Sequence, residues 1–501
     1  MKLTILGGGG FRVPLVYEAV ATRATGLAVD EVALHDVDPG RLARIGAVIE
    51  QLGAELTASG RAPRPLPVLA PTTDLREAVA GADFVFSAVR VGGAEGRTVD
   101  ERVALDLGLL GQETIGPGGL AYALRTIPVA LDIARTIQEL APDAWTINFT
   151  NPAGIVTEAM RRILGERVVG ICDTPIGLVR RVSRLLGADV DALGPDGSPL
   201  IGVDYVGLNH LGWLRALTVD GEDRLPAILA DDAALDAIEE ARLIGPDWVR
   251  TMQALPNEYL FYYLFTQEAR RRIAAADTTR GEFLAAQQQG FYAERGPGGT
   301  ESSPGDAEAC CAGPLARWRA TLHEREATYM AETRDEARRE EDVAGGGYQE
   351  VALRLMTALA TGRPARMILD VGNAAPGAEN PSARIVPELP GGLVLEVPCL
   401  VDGTGVHPQA VGPLTLDQLG MMARLRASER CILEAAVAGD EARQAARGEH
   451  PQAAAELRER AARSAWQGFA SHPLVGSPEL GRRLLDGYRA GHPQIAALLD
   501  G

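Results

Sequence analysis

The chain has 501 residues, 46 % of them apolar, and a formal net charge of −18. This length and apolar content support a globular protein with room for two domains, and the acidic balance argues against tracking a nucleic-acid backbone. Lys2 is the one lysine and every other basic side chain is arginine, so a Schiff-base lysine and a P-loop lysine are both excluded.

In chain order, LTIL (3–6) leads into GGGGFRVP and then the amphipathic VYEAVATRA. EVALHDVD (31–38), the helix-like RLARIGAVIEQLGAEL, PLPVLAPT (65–72), DFVFSAV (83–89), AWTINFTNP (144–152) and RVVGICDTP (167–175) follow. Short apolar runs that alternate with helical patterns predict crossover units and a parallel sheet. An α/β, Rossmann-like doubly wound parallel sheet is therefore expected over 1–200. Beyond it, charged helical stretches over 234–244, 267–292 and 315–341 precede strand-like RMILDVGN and LVLEVPCLVD and a helical tail from 415. This predicts a second, helix-rich α+β domain over 201–501. The stretch 295–314, dense in Gly, Pro and Ser, reads as a surface loop, and AAELRERAARSAWQ (454–467) as a solvated helix. No apolar run reaches the roughly 18 residues of a membrane span. Met1 leads straight into KLTILGG with no charged leader, so a cytoplasmic location is expected.

Several motifs fall where such sheets carry chemistry. Gly7, Gly8, Gly9 and Gly10 lie between a strand and a helix, where glycine lets the backbone approach a pyrophosphate at a helix N-terminus. Arg12 occupies the third glycine's place of a full GxGxxG, and a structural turn is the competing reading. Asp36, ending the second strand, suits a ribose hydroxyl pair and would repel a 2′-phosphate, which favours NAD over NADP. NFTNP and GICDTP end strands at the sheet edge where ligands bind. Cys172 stands there beside Asp173, and His210 follows within VGLNHLGW. A lone His of this kind is more often a core residue. Paired with Cys172 it makes half a zinc site, whose other positions substrate oxygens and water would fill. Glu113 sits in GQETIGPGG among glycines, Tyr259 in NEYLFYYLF, and arginines flank glycines in RVGGAEGR (90–97) and DTTRGEF (277–283). The five cysteines, Cys172, Cys310, Cys311, Cys399 and Cys431, show no CxxC spacing and fit a reducing compartment. Cys399 and Cys431 read as small buried hydrophobes.

Taken in order, GGGG…P, RVGGAEGR, GQETIGPGG, NFTNPAG, ICDTPIG, GLNHLGW, PNEYLFYY, TTRGE and EVPCLV closely resemble glycoside hydrolase family 4, from the first strand to about residue 440. The resemblance implies a glycosidase that needs NAD and Mn²⁺ or another divalent metal, outside the two-carboxylate mechanism. It implies oxidation at carbon 3 of the sugar, loss of the carbon 2 proton to a tyrosinate, departure of the aglycone, water addition, and return of the hydride. Carried over by position, Cys172 and His210 match metal ligands, Tyr259 the base, and Glu113 an acid that helps make that tyrosine basic. Asp173 matches the proton donor to the leaving oxygen, and Arg97, Asn151 and Arg280 match substrate-binding positions, arginine being natural for a 6-phosphate. The implied partners are a phosphorylated disaccharide or aryl glucoside and further copies of the chain as a homodimer or homotetramer, with no nucleic acid and no membrane. The motifs around NFTNPAGIVTEA resemble the 6-phospho-β-glucosidase branch, whereas Asp after the metal cysteine resembles the 6-phospho-α-glucosidase branch. The first is the leading expectation and the second its alternative. An NAD-dependent 2-hydroxy acid dehydrogenase is the reading from another reaction class. EDVAGGGYQE (341–350) lacks the basic residue often found ahead of that glycine turn, which bears on the need for a 6-phosphate. The segment 441–467 looks like an insertion.

Overall fold

The computed structural model describes residues 1–22, 26–62, 65–190, 192, 194, 200–293, 313–334, 338–339, 347–378 and 380–501. Of the stretch 295–314 only Gly313 and Pro314 are described, so the loop expected there lies outside the described residues, as do Cys310, Cys311 and positions 341–346.

The first half alternates strand and helix: β1 (Lys2–Leu6), α1 (Val13–Thr22), β2 (Glu31–His35), α2 (Pro39–Ala58), β3 (Val68–Thr72), α3 (Leu75–Val79) and β4 (Phe84–Ser87). Then come α4 (Gly93–Asp106), α5 (Pro117–Leu140), β5 (Trp145–Asn148), α6 (Ala153–Leu164), β6 (Val168–Gly170) and α7 (Thr174–Leu185). The strands lie in the order β3-β2-β1-β4-β5-β6, all parallel, which is the strand order of dinucleotide-binding folds. Helices cover both faces, so β1 is apolar from Leu3 to Leu6 except for Thr4, whose hydroxyl donates to Ala78 O at 2.7 Å. Asp38 starts α2 by accepting from Gly40 N and Arg41 N, and Asp74 caps α3 in the same way.

The sheet does not stop at residue 200. It continues through β7 (Ile201–Leu208), β8 (Leu211–Val219), β9 (Glu222–Asp223), β10 (Leu255–Pro256), β11 (Ala365–Gly372), β12 (Val394–Asp402) and β13 (Gly405–Pro408). β11 pairs antiparallel with β6, and β12, β7, β8 and β10 follow outward, giving thirteen strands in one sheet among the described residues. The β7–β8 hairpin is a feature that the periodicity did not reveal. The helical stretches are also more broken than expected. Residues 234–244 form two helices, Asp232–Asp236 and Glu239–Ile244. Residues 267–292 break before Arg280 because Thr279 and Glu282 close a capping box. The third helix spans only Pro314–Ala327.

The tail folds into helices Leu416–Arg447, Pro451–Ser471, Pro478–Gly491 and Pro493–Asp500. Proline in the first turn opens each of the last three, where its missing N–H costs nothing. The helix Pro451–Ser471 is not a merely solvated one. Ala454, Ala461, Ala465 and Phe469 are buried along it, and Ala461, Ala465 and Phe469 share a core with Ile432, Leu433 and, from α5, Ile127 and Ala130. Small alanines let the backbones approach closely, so a charged-looking sequence still has an inward face.

Candidate active site

A cavity of about 280 Å³ opens at the carboxyl ends of the parallel strands and is lined from both halves of the chain. Its floor begins at the glycine loop after β1. Gly7 and Gly8 both donate to His35 O, at 2.9 and 2.7 Å, and Gly10 N donates to Gly7 O at 2.8 Å. Gly7 has φ +82°, and a Cβ there would stand 2.5 Å from Ala88 O, so the loop lies flush against the strand beside it. Only glycine permits this, and it brings the start of α1 to the cavity, as a dinucleotide diphosphate requires. Gly7 and Gly10 line the cavity; Gly8 and Gly9 hold the loop from behind. Asp36 also acts from behind. Its carboxylate accepts Gly9 N at 3.1 Å and Asp38 N at 3.1 Å, leaving further lone pairs for a ribose.

Cys172 and His210 reach the cavity from opposite halves of the sheet. β6 ends at Gly170, and Cys172 and Asp173 fill the short turn into α7, with Pro175 in the helix's first turn. Asp173 occupies the N-cap position but makes no capping bond there; its side chain lines the cavity. His210 is half of the two-residue turn between Leu208 and Leu211 and has φ +65°. A left-handed backbone is unusual for histidine, and here it aims the ring into the site. His210 Nδ1 lies 3.1 Å from Thr114 Oγ1, and among the described residues Nε2 has no hydrogen bond. Burial drops the His210 pKa to about 4, so the ring is neutral at pH 7, the form that binds metals. Cys172 is a free, buried thiol 3.3 Å from Thr174 Oγ1. A sulfur and a neutral imidazole suit a divalent transition metal. Among the described residues no cluster of three or more ligating side chains forms, so the remaining positions on such a cation would fall to substrate and water.

Tyr259 stacks on the His210 ring, with centroids 3.8 Å apart and planes 15° from parallel. Asn257 sets its backbone: Oδ1 accepts Tyr259 N at 3.0 Å while Nδ2 donates to Thr174 Oγ1 at 2.7 Å. The PNEY segment is thereby tied to the turn that carries Cys172. Burial pushes the Tyr259 phenol above its ordinary pKa, neighbouring Glu258 adds to this, and the hydrogen bond with Tyr329 opposes it. Tyr329 had no signal in the sequence, since it ends a charged helical stretch. It has one hydroxyl proton and two partners, Tyr259 Oη and Glu258 Oε1, each at 2.8 Å. Glu258 itself is pushed up to about 7, first by burial and then by Glu239 and Glu240.

The charged residues divide into those already partnered and those turned to the cavity. Glu113 pairs with both Arg90 and Arg97, the latter at 2.5 Å. Although burial opposes ionisation, the two guanidiniums hold its pKa at about 2. Arg97 also bonds Glu101 Oε1 at 2.8 Å, so much of its donor capacity is committed within the protein. Asn151 presents a buried Oδ1 with no hydrogen-bond partner among the described residues. Arg280 bonds Thr328 Oγ1 at 2.6 Å and Arg325 O at 2.8 Å. Burial raises the Asp173 pKa against the pull of Arg12. Of the aromatic run, Tyr262 shares the cavity wall, whereas Tyr263 lines other pockets. Cys399 is fully buried in β12 and Cys431 only half-buried.

A Rossmann-type sheet with a glycine loop, a thiol–imidazole pair and a buried tyrosine around one cavity defines the class as a nucleotide-dependent enzyme. Residues 2–188 match the family 4 glycosyl hydrolase model and residues 205–446 the model of the family 4 glycosyl hydrolase C-terminal domain. The chain belongs to the family 4 glycosyl hydrolases, and it is a glycosidase. It is 31 % identical over 452 residues to a probable 6-phospho-beta-glucosidase of Bacillus subtilis (strain 168), covering 88 % of this chain and 89 % of that protein. It is 28 % identical over 450 residues to the maltose-6′-phosphate glucosidase of the same strain, covering 87 % of each. A solved 6-phospho-alpha-glucosidase from gut microorganisms, in complex with NAD and Mn²⁺, superposes with a TM-score of 0.69 at 24 % identity, covering 98 % of this chain and 97 % of that one. The dehydrogenase alternative gives way to the glycosidase family. Among the described residues no helix is long and apolar enough to cross a membrane.

Proposed function

We propose that this enzyme is a 6-phospho-β-glucosidase that acts on phosphorylated disaccharides or aryl glucosides in the cytoplasm. The observation that carries the reading is the convergence of Cys172, His210 and Tyr259 on the cavity that the glycine loop floors. The B. subtilis relative named for β-glucosides supports the β assignment. The maltose-6′-phosphate relative and the CDTP turn keep the α anomer as the second reading. When bound, NAD supplies a reversible hydride acceptor and Mn²⁺ or another divalent cation a Lewis acid and a local positive charge.

In this reading residues 1–200 bind the nucleotide and 201–501 complete the substrate and metal site. Cys172 Sγ and His210 Nε2 hold the cation. Tyr259 takes the proton from carbon 2 of the sugar, its phenolate accepting the Tyr329 hydroxyl. Asp173, its carboxyl pKa raised by burial, gives a proton to the departing oxygen. Glu113 stays ionised as a fixed negative charge that favours proton uptake by the tyrosine. Asn151 Oδ1 accepts from a sugar hydroxyl, and Arg280 and the remaining face of Arg97 bind the substrate. Gly7 to Gly10 take the cofactor diphosphate and Asp36 its ribose. The assembly implied by the resemblance, a homodimer or homotetramer, is read by light scattering.

The test uses the nitrophenyl 6-phosphoglucoside of each anomer with NAD and Mn²⁺ present or withheld. Release of nitrophenol is expected to need both additions, to favour the β anomer, to incorporate solvent deuterium at carbon 2, and to leave no net NADH. Cys172→Ser should lose nearly all turnover and its metal dependence. Full activity without NAD, or a fully active Cys172→Ser, would refute the reading.

A further inference from the structure

The glycine loop that floors the cavity is held from outside its own half of the chain. Tyr292 Oη donates to Gly9 O, Trp318 Nε1 to Phe11 O and Tyr348 Oη to Arg12 O, each at 2.7 Å. The three donors stand on three separate helices of the second half, Arg280–Tyr292, Pro314–Ala327 and Tyr348–Thr361. Aromatic rings from these helices close around the same loop residues. Phe291 meets the Phe11 ring edge-on with centroids 5.1 Å apart, Trp318 lies 6.2 Å from it, and the Arg12 guanidinium sits 5.4 Å over the Tyr348 ring. Arg41, in the first turn of α2, covers the Tyr292 ring at 3.9 Å. Burial lifts both phenols above their ordinary range, so they donate as neutral hydroxyls.

A carbonyl taken out of water needs a donor, and that alone would be a matter of packing. What these donors add is direction. A trans peptide is planar, so its N–H points opposite to its carbonyl. Holding Phe11 O toward Trp318 therefore turns the Arg12 N–H the other way. Among the described residues the Phe11 and Arg12 amides donate to no protein group, and both residues line the cavity. Free amides just ahead of α1 are what a diphosphate takes up. Arg12 stands where a full GxGxxG has its third glycine, so the donors hold the part of the loop that glycine does not shape.

We infer that Tyr292, Trp318 and Tyr348 are positioning residues for the nucleotide. They grip the glycine loop by its carbonyls so that its free amides meet the cofactor diphosphate, and the second half of the chain thereby sets the affinity for a ligand that the first half binds. This rests on the reading above for the nucleotide itself and not for the glycosidic reaction.

The test titrates NAD calorimetrically into the full chain and into Tyr292→Phe, Tyr348→Phe and their double variant, each of which loses a hydroxyl and keeps its ring. Tyr488→Phe, which loses a hydroxyl bonded to Asp100 O, is the comparison. Thermal unfolding without NAD is followed for all of them. Each single clamp variant should bind NAD about two- to ten-fold more weakly, the scale of one hydrogen bond, and the double variant more weakly still. Glucose 6-phosphate titrated without NAD should bind as it does to wild type. Tyr488→Phe should lose stability yet keep its NAD affinity. Unchanged NAD affinity in both single variants overturns the inference, since the bonds then only stabilise the fold. So does an equal loss in Tyr488→Phe, or an equal loss for glucose 6-phosphate. Weakened NAD binding by the clamp variants of a protein that cleaves neither anomer supports the clamp and refutes the glucosidase reading.

Discussion

Tyr259 needs its neighbours more than its own chemistry. A phenol buried on an imidazole ionises less readily than one in water, because burial favours the neutral form. The structure offsets this on two sides, with the cation seat at His210 and the hydroxyl of Tyr329. Tyr329 bridges to Glu258 as well, so removing its oxygen unties the phenol from both. Tyr329→Phe keeps the ring and its packing. It should lower kcat about ten-fold, the scale of one hydrogen bond to a charged acceptor, with KM little changed. The kinetic isotope effect from deuterium at carbon 2 should rise as proton removal becomes slower, while that from carbon 3 should not. An unchanged isotope effect at carbon 2 would mean that Tyr329 only fills space. Cys172, His210 and Tyr259 were legible from their motifs. Tyr329 was not, because a tyrosine in a charged helical stretch looks like part of any solvated face.

At the scale of elements, α4 carries Arg97 and Glu101 into the site, yet its own sequence is too polar to be held by apolar burial. A buried ion pair holds it. Arg125 on α5 bonds both oxygens of Asp100, at 2.7 and 2.6 Å, and also Val91 O at 2.9 Å. From the last turns of the chain, His492 Nε2 lies 2.9 Å from Asp100 Oδ1, and Tyr488 Oη donates to Asp100 O at 3.0 Å. Both partners of the ion pair are fully buried. Removing one leaves a buried charge unmatched, so Arg125→Met should destabilise the fold by about 3–5 kcal/mol. The double variant Arg125→Met, Asp100→Leu should recover a large part of that loss. Denaturant titration measures both, and additive losses would show that the pair is not coupled. Neither residue stood out in the sequence, because an arginine on α5 and an aspartate on α4 have no periodicity that joins them.

Over the whole molecule, one sheet joins the nucleotide half to the rest, and the C-terminal helices return to the first half. The family's C-terminal match ends at residue 446, yet the helices beyond it bury Phe469, Leu484, Tyr488 and Ile495 in a core with Leu124 and Ile127 of α5. The segment 441–467 that reads as an insertion thus shares a core with α5, and it is the helices after it that reach Asp100 of α4, through Tyr488 and His492. A chain ended at Arg447 would expose that core. It should unfold well below the full-length protein and lose activity even with NAD and Mn²⁺ in excess, and Phe469→Ala alone should cost about 3–5 kcal/mol. A truncated chain that melted with the full-length protein would show these helices to be dispensable.

Local signals determined a good deal: the parallel α/β half, the glycine loop, and the set of motif residues that share a cavity. Apolar runs, glycines that must approach other backbones, and capping residues act over a few neighbours, and their spacing is written directly in the chain. What only the tertiary structure decided were the partnerships across long separations. These include the hairpin tip that turns His210 into the cavity that Cys172 also lines, the hydroxyl of Tyr329 on Tyr259, and the return of the last helices to Asp100. The reason is physical. Whether a charge is paired, or a phenol is bonded, depends on which atoms fill the few ångströms around it, and in a folded chain those atoms come from hundreds of residues away.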